Sequence, residues 1–315
     1  GVAIVPLLIA GCSLRGVALG SLDFRTVPFA GLSLAGADLA GARLAGLDLA
    51  DCDFEGADLA GADLSRAGLS RARFVRAALH DVNLECAVLK DCDLRGARVI
   101  SARITGADLR GARLERAVFL EPDLTTCALD GVELVACLLE DCHGEGVQLA
   151  GCRLDDSSFA RGRLARASFD GASLFQVRFA GADLTGATLV SARGEGLDAP
   201  GAQFVQANLT GACLRDAHLM KADLSEAKLE GVDLRSGQLQ EAALRNASLI
   251  RADLRFADLS LADLGSAVLM DADLRSSNLH RARLAGAHLT GARTEHAAPT
   301  DEERARAEDF TTSPR

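Results

Sequence analysis

From Leu14 to Leu289, every fifth residue is apolar with three exceptions. Of the 56 positions in that phase, 51 are Leu or Phe; Val99 and Ile104 keep the apolar character, and Gly144, Gly194 and Ala199 break it. Ile4 and Ile9 stand in the same phase upstream, and no insertion or deletion shifts it. A short fixed period over nearly the whole chain marks one repeat array. An α-helix turns about 100° per residue, so apolar residues five apart would smear around its surface. On a straight strand they would alternate between faces, because five is odd. What remains is a chain that bends by a fixed angle after each short extended segment. Every fifth side chain then points inward, and the coils stack through ladder hydrogen bonds.

The flanking positions agree. Two residues before the centre stand 33 Ala, 7 Cys, 7 Val and 4 Leu, all small or apolar. Two residues after it, counting from Gly11 behind Ile9 to Gly291, stand 23 of the 31 glycines, which suits a tight corner with an unusual φ. The residue just before the centre is Asp in 17 repeats, with Asn83, Asn208 and Asn278 joining them. A short polar side chain there is placed to cap a turn amide while facing solvent. Three positions build a tube and two decorate it.

Units such as Ala37-Asp38-Leu39-Ala40-Gly41, Ala107-Asp108-Leu109-Arg110-Gly111 and Ala182-Asp183-Leu184-Thr185-Gly186 resemble the pentapeptide repeat family, over residues 2 to about 293. The resemblance implies an all-β fold, a right-handed quadrilateral β-helix with four repeats per coil. At 20 residues per coil that makes about 14 coils, a rod roughly 67 Å long at ~4.8 Å per stacked strand. The chain is thus read as a repeat β-helix over 1–293, followed by a capping helix and tail over 294–315. In that tail Thr300-Asp301-Glu302-Glu303 has the form of a capping box opening a short helix to about Phe310, expected to cover the open end of the stack.

Composition narrows the function. Trp and Tyr are absent, and nine of the twelve Phe are central residues, so stacking platforms for bases or sugars are not expected. No segment has the length of a membrane span, and the apolar start Gly1–Ala10 already obeys the repeat phase. Seven of the nine cysteines (Cys12, Cys52, Cys92, Cys127, Cys137, Cys142, Cys152) take the small inward position, while Cys86 and Cys213 lie outward. An odd number of thiols, most of them inward, fits a reducing cytoplasm. Cys127, Cys137, Cys142 and Cys152 share one stretch of lumen, yet their spacing matches no zinc signature and they read as packing residues. The six histidines (His80, His143, His218, His280, His288, His296) are expected at outward positions or beyond the last repeat. None pairs with a nucleophile, and paired carboxylates such as Asp38 and Asp58 read as solvated repeat positions. No enzyme, metal or cofactor is expected.

The formal net charge is −10, and by face it runs from 0 on that of Leu34 to −4 on that of Leu39. An acidic rod of this family suggests DNA mimicry, resembling members that bind gyrase and protect it from quinolones. Here, however, Arg43, Arg73, Arg98, Arg103 and Arg113 stand where Asp is usual, whereas B-DNA carries a charge every ~1.7 Å without interruption. The first reading is therefore a non-enzymatic rigid scaffold or adaptor that binds a protein partner. A mimic that binds a type II topoisomerase is the alternative, and direct nucleic-acid or membrane binding is not expected.

Three features carry site expectations. Ile100 and Leu120 stack just after a centre, and Val118 and Leu138 just before one, on the face of Leu39. Outward apolar residues in a ladder mark a candidate protein interface, with Glu121, Glu140 and Asp141 as its polar rim. Ile250, Val268 and Met270 form a smaller second patch on the face of Leu49. Gly144, Gly194 and Ala199 are expected defects, where a lost core side chain leaves a void or draws the wall inward. At the N-terminal end the repeats begin at Val2 with no polar cap, and Val5 and Leu8 point outward. An upstream domain or a second copy is expected to cover that edge.

Overall fold

The computed structural model describes residues 30–302. The chain divides into two compact units, Gly1–Arg163 and Leu164–Arg315, each built on the same rule. In both, a residue pairs in parallel with the one twenty positions on: Asp38 with Asp58 and Asp58 with Ala78 in the first, His218 with Gln238 and Gln238 with Asp258 in the second. Twenty residues are four repeats, so each coil has four five-residue sides, and each unit is a β-helix. Two of every five residues go into the corner, which leaves a single bridging residue on most sides. Among the described residues only β1 (Arg98–Ile100) and β2 (Val118–Leu120) extend to three, paired in parallel with Ile100 opposite Leu120.

The repeat accounts for all five of its backbone N–H groups. Around Leu39, the central N–H donates to Asp58 O one coil on, at 2.6 Å. The corner N–H of Gly41 donates to Ala60 O at 2.8 Å, and Ala42 N–H closes the turn on Leu39 O at 3.0 Å. The residue before the next centre up, Asp58, donates back to Ala37 O at 2.9 Å. The fifth group, Ala40 N–H, has no carbonyl in reach and donates to Asp38 Oδ1 at 3.1 Å. Asp58, Asp183, Asn208 and Asp223 make the same cap two residues on. This bond is why Asp dominates the position before the centre.

Corner residues take φ near +60° whether or not they are Gly. Glycine holds it without strain, but Arg66, Lys221, Phe256 and Leu261 hold it too, at φ 57°, 59°, 61° and 63°. A left-handed third residue is what a type II turn needs. The ladder bonds of adjoining coils impose it on side chains that would not choose it. Inside, Leu and Phe columns are buried; Phe54 stacks on Phe74 at 4.9 Å, and Phe169 meets Phe179 edge to face at 5.4 Å.

At Gly194 neighbouring side chains take up the space that a central Leu would hold. A Cβ on Gly194 would lie 2.9 Å from Leu214 Cδ2, 3.2 Å from Leu197 Cδ1 and 3.5 Å from Leu174 Cβ, so the place of the missing side chain is already filled. Leu197 stands where most repeats have Ala and supplies the volume that Gly194 and Ala199 lack. The ladder passes unbroken, with Gly194 N–H on Cys213 O at 2.7 Å and Ala199 N–H on His218 O at 2.8 Å. At Gly144 it is unbroken as well, with N–H on Arg163 O at 2.8 Å.

A correction concerns His280, which is only 2% exposed although its repeat position points outward. Its Nδ1 accepts a hydrogen bond from Asp301 N–H at 3.0 Å. The ladder runs past Arg293 to a last pair, Asn278 with Ala298. Thr300 then leaves the coil, its Oγ1 accepting from Arg281 N–H at 3.1 Å in place of a backbone carbonyl. The positions that carry the expectations of an N-terminal docking edge (Val2, Val5, Leu8) and of a capping helix to Phe310, and Cys12, lie outside the described residues.

Candidate protein-interaction surfaces

The apolar ladder of the first unit sits on β1 and β2. Leu120 is 47% and Leu138 41% exposed, while Ile100 and Val118 are half-buried. The central residues between them, Val99, Phe119 and Leu139, point into the lumen and are buried. Pairing of Ile100 with Leu120 and of Val118 with Leu138 therefore puts four apolar side chains on one outer surface across three coils. Pro122 shapes its margin, because it has no N–H to close the corner after Phe119. Glu121 takes that corner at φ 48° and is exposed.

In the same corner, one and two coils on from Glu121, Arg161 ties the two acids together, with Nη2 at 2.7 Å from Asp141 and 3.0 Å from Glu140. The hydrogen bonds from Arg161 hold the Asp141 carboxyl below the usual carboxylate range. Ser158, buried beneath them, donates to Glu140 Oε1 at 3.2 Å. In the second unit Met270 is 41% exposed and Ile250 and Val268 are half-buried. Exposed Phe175, Met220, Phe256 and Leu261 also lie in the second unit. They escape a search for stacked pairs because the residues twenty before and after them are polar, apart from Pro200 before Met220, although the repeat phase alone places all four outward.

Charge is arranged in pairs. In the second unit Arg235 reaches Asp233 at 2.6 Å in its own coil and Asp253 at 3.4 Å in the next; Arg255 repeats the step with Asp253 and Asp273. Burial pushes the Asp233 carboxyl up, but hydrogen bonds from Arg235 and Arg215 outweigh it and bring it down to about 2. The hydrogen bond from Arg275 does the same for Asp273, also to about 2. In the first unit an open groove of about 780 Å³ is lined by Val75, Val135, Arg76, Arg95, Glu115 and Asp156 among others. Glu55 at one end accepts from Arg76 and Arg73, both at 2.8 Å.

The inward thiols are chemically quiet. Burial pushes Cys92, Cys127, Cys137 and Cys142 up to about 12 and Cys52 to about 11. The hydrogens of Cys92, Cys127 and Cys137 go to carbonyls of the preceding coil, as from Cys92 to Leu69 O at 2.8 Å and Cys137 to Leu114 O at 2.6 Å. Among the described residues no three His, Cys, Asp or Glu side chains group to hold a metal ion, and no helix is long and apolar enough to cross a membrane.

Parallel coils of four short sides around a Leu, Phe and Ala lumen define a β-helix solenoid. The family model for pentapeptide repeats matches in 8 copies over residues 33–71, 72–111, 100–141, 152–189, 202–237, 227–265 and 267–297. The chain belongs to the pentapeptide repeat family, whose fold is a right-handed β-helix. The unmatched stretches 142–151 and 190–201 are those holding Gly144, Gly194 and Ala199.

Among solved structures the chain is similar to HetL, a pentapeptide repeat protein involved in heterocyst differentiation regulation from Nostoc sp. strain PCC 7120. The identity is 27% over 84% of this chain and 88% of HetL, with a TM-score of 0.24. It is also similar to QnrB1, a plasmid-mediated fluoroquinolone resistance protein, at 16% identity over 79% of this chain and 94% of that one, with a TM-score of 0.29. A pentapeptide repeat protein from the thylakoid lumen of Arabidopsis thaliana is 29% identical over 36% of this chain and 68% of its own, with a TM-score of 0.17. A comparison with curated proteins gave no match.

Proposed function

We propose that this pentapeptide repeat protein is a non-enzymatic scaffold that docks a protein partner on the apolar ladder of Ile100, Val118, Leu120 and Leu138. The observation that carries the reading is the contiguity of that ladder: four apolar side chains stand together where the repeat ordinarily places Asp, Arg, Ser or Thr. Water contact with such a surface costs free energy that a partner recovers by covering it. Glu121, Glu140 and Asp141 form the wet rim that sets the partner's orientation. Ile250, Val268 and Met270 are a second, smaller docking point. The buried thiols suit the reducing cytoplasm. The repeat array over 1–293 supplies the support for that surface, with 294–315 as its C-terminal cap.

DNA mimicry of a topoisomerase is the weaker reading, because acids such as Asp233, Asp253 and Asp273 are neutralised by Arg in the same or the next coil. The test sets wild type beside a Leu120→Ser/Leu138→Ser double variant in sedimentation and co-purification. Loss of a specific association at unchanged melting temperature supports the docking surface. Inhibition of gyrase supercoiling, or its protection from a quinolone, at sub-stoichiometric protein would replace the scaffold by the mimic.

A further inference from the structure

One outer face of the first unit carries a charge pattern that is its own complement. In the column just before the centres, Asp53, Arg73, Asp93, Arg113, Glu133 and Arg153 pair in parallel one coil apart and alternate strictly in sign. Such an alternating ladder serves its own chain, as opposite charges on adjoining strands do. The column just after the same centres does not alternate: it runs Glu55, Val75, Arg95, Glu115, Val135, Asp155. Yet both columns reverse onto themselves about one point, midway between the coils of Asp93 and Arg113. Turned end for end, Asp53 meets Arg153, Arg73 meets Glu133, Asp93 meets Arg113 and Arg95 meets Glu115, while half-buried Val75 meets half-buried Val135. The corner column adds shape. There Arg76 falls opposite Ala136, Arg116 opposite Gly96 and Asp156 opposite Gly56, each time a longer side chain against a small one. The open groove of about 780 Å³ is lined from Glu55 to Asp156, on both sides of the same midpoint.

We propose that this face docks the same face of a second, antiparallel copy of this chain, about a two-fold axis between Arg95 and Glu115. A two-fold axis makes every contact twice, so the four kinds of ion pair give eight. Several of these charges are loosely held in their own chain. Arg113 stands 3.9 Å from Glu115 and 3.8 Å from Glu133, and Arg153 stands 3.8 Å from Glu133, all beyond hydrogen-bond length. Only the end pair, Glu55 with Asp155, is of like sign, and Arg73 and Arg76 already hold Glu55 at 2.8 Å. A parallel packing would instead set Asp53 against Glu55 and Arg73 against Val75. The face is five coil steps long, about 24 Å at ~4.8 Å each, and covers roughly 300 Å² per copy at a width of about 12 Å, so the dimer is of the weak, exchanging kind. It lies one repeat before the apolar ladder of Ile100 and Leu120 and leaves that surface free for another partner.

The experiment sets two opposite charge reversals of the full chain, Arg73→Glu and Glu133→Arg, beside wild type in sedimentation at high protein concentration. Wild type is expected to dimerise reversibly at low salt, and about tenfold or more weakly at ~0.5 M salt. Each variant alone brings like charges together twice and is expected to stay monomeric. An equimolar mixture of the two is expected to dimerise as wild type does, because each copy supplies the charge the other lacks. The two positions lie three coils apart, about 14 Å at ~4.8 Å per coil, so no contact within a chain produces that rescue. A wild type that is monomeric at every concentration, a dimer that survives Arg73→Glu, or a mixture that stays monomeric overturns the proposal. Independently, a Val75→Cys/Val135→Cys variant is oxidised and mapped by peptide mass spectrometry. A disulfide from position 75 of one chain to position 135 of another is expected, since three coils are too far for a bond within one chain. Bonds that join like positions, or none at either, overturn it.

Discussion

The exchange of volume between Gly194 and Leu197 predicts a strong coupling. Leu197→Ala removes the side chain whose Cδ1 lies 3.2 Å from the missing Cβ of Gly194. No larger residue stands ready to refill that stretch of lumen, so the cost is set at about 3 kcal/mol, inside the range for buried Leu→Ala. Gly194→Leu alone forces a side chain into Leu214, whose Cδ2 is already 2.9 Å from the first carbon to be added. Overpacking of that kind costs about 1–3 kcal/mol. Gly194 is not in a left-handed conformation, so the penalty is steric and not one of backbone. The double variant restores the common pattern, Leu at the centre and Ala at the small position three residues on, and is expected within about 1 kcal/mol of wild type. The coupling is then about 3–5 kcal/mol. Thermal unfolding followed by far-ultraviolet circular dichroism reads it directly. At roughly 2–4 °C per kcal/mol, Leu197→Ala lowers the midpoint by about 6–12 °C and the double variant by a few degrees at most. If the double variant falls by the sum of the singles, the two side chains do not compete for one space and the compensation is wrong.

Asp233 and Asp273 have folded pKa values of about 2 against an ordinary 3.8, so they stabilise the fold above pH 4, and that contribution is lost as pH falls from about 4 to 2. It amounts to at most about 2 kcal/mol each. Asp273→Asn, which keeps an acceptor for Arg275 N–H but removes the ion pairs, is expected to melt below wild type at pH 7 and to converge with it near pH 2 in a pH series of melting curves. Leu120→Ser/Leu138→Ser changes exposed side chains and is expected to shift stability by no more than about 0.5 kcal/mol per site in denaturant unfolding. A larger loss would place those residues in the core. Among the cysteines of the described residues, exposed Cys86 is expected to react first with a thiol reagent, whereas Cys92, Cys137 and Cys142 react only after unfolding, as a stopped-flow trace with and without denaturant would resolve.

The sequence by itself determined the coil. Strict recurrence of Leu39, Leu44 and their successors fixes which side chains point inward, and Ala at the small position fixes how tightly the wall closes. Asp before the centre supplies the one acceptor that the backbone ladder cannot. These are local and periodic requirements, so they are written in every repeat. The twenty-residue register also makes the neighbours Ile100 and Leu120 legible, because in a ladder without insertions separation in sequence is position in space. Tertiary structure decided what periodicity cannot express. Leu197 fills the place of Gly194 because the flexible ends of Leu197 and Leu214 lean toward the space a glycine leaves, and rotamers are chosen by the whole lumen. Arg235 divides itself between Asp233 and Asp253 because its long side chain spans a coil, and either partner satisfies it. His280 carries the same outward phase as His80, yet it is buried, and where the chain leaves the ladder at Thr300 the N–H of Asp301 comes to its Nδ1. A repeat fixes how each coil meets the next; only the folded chain decides what lies across the coils.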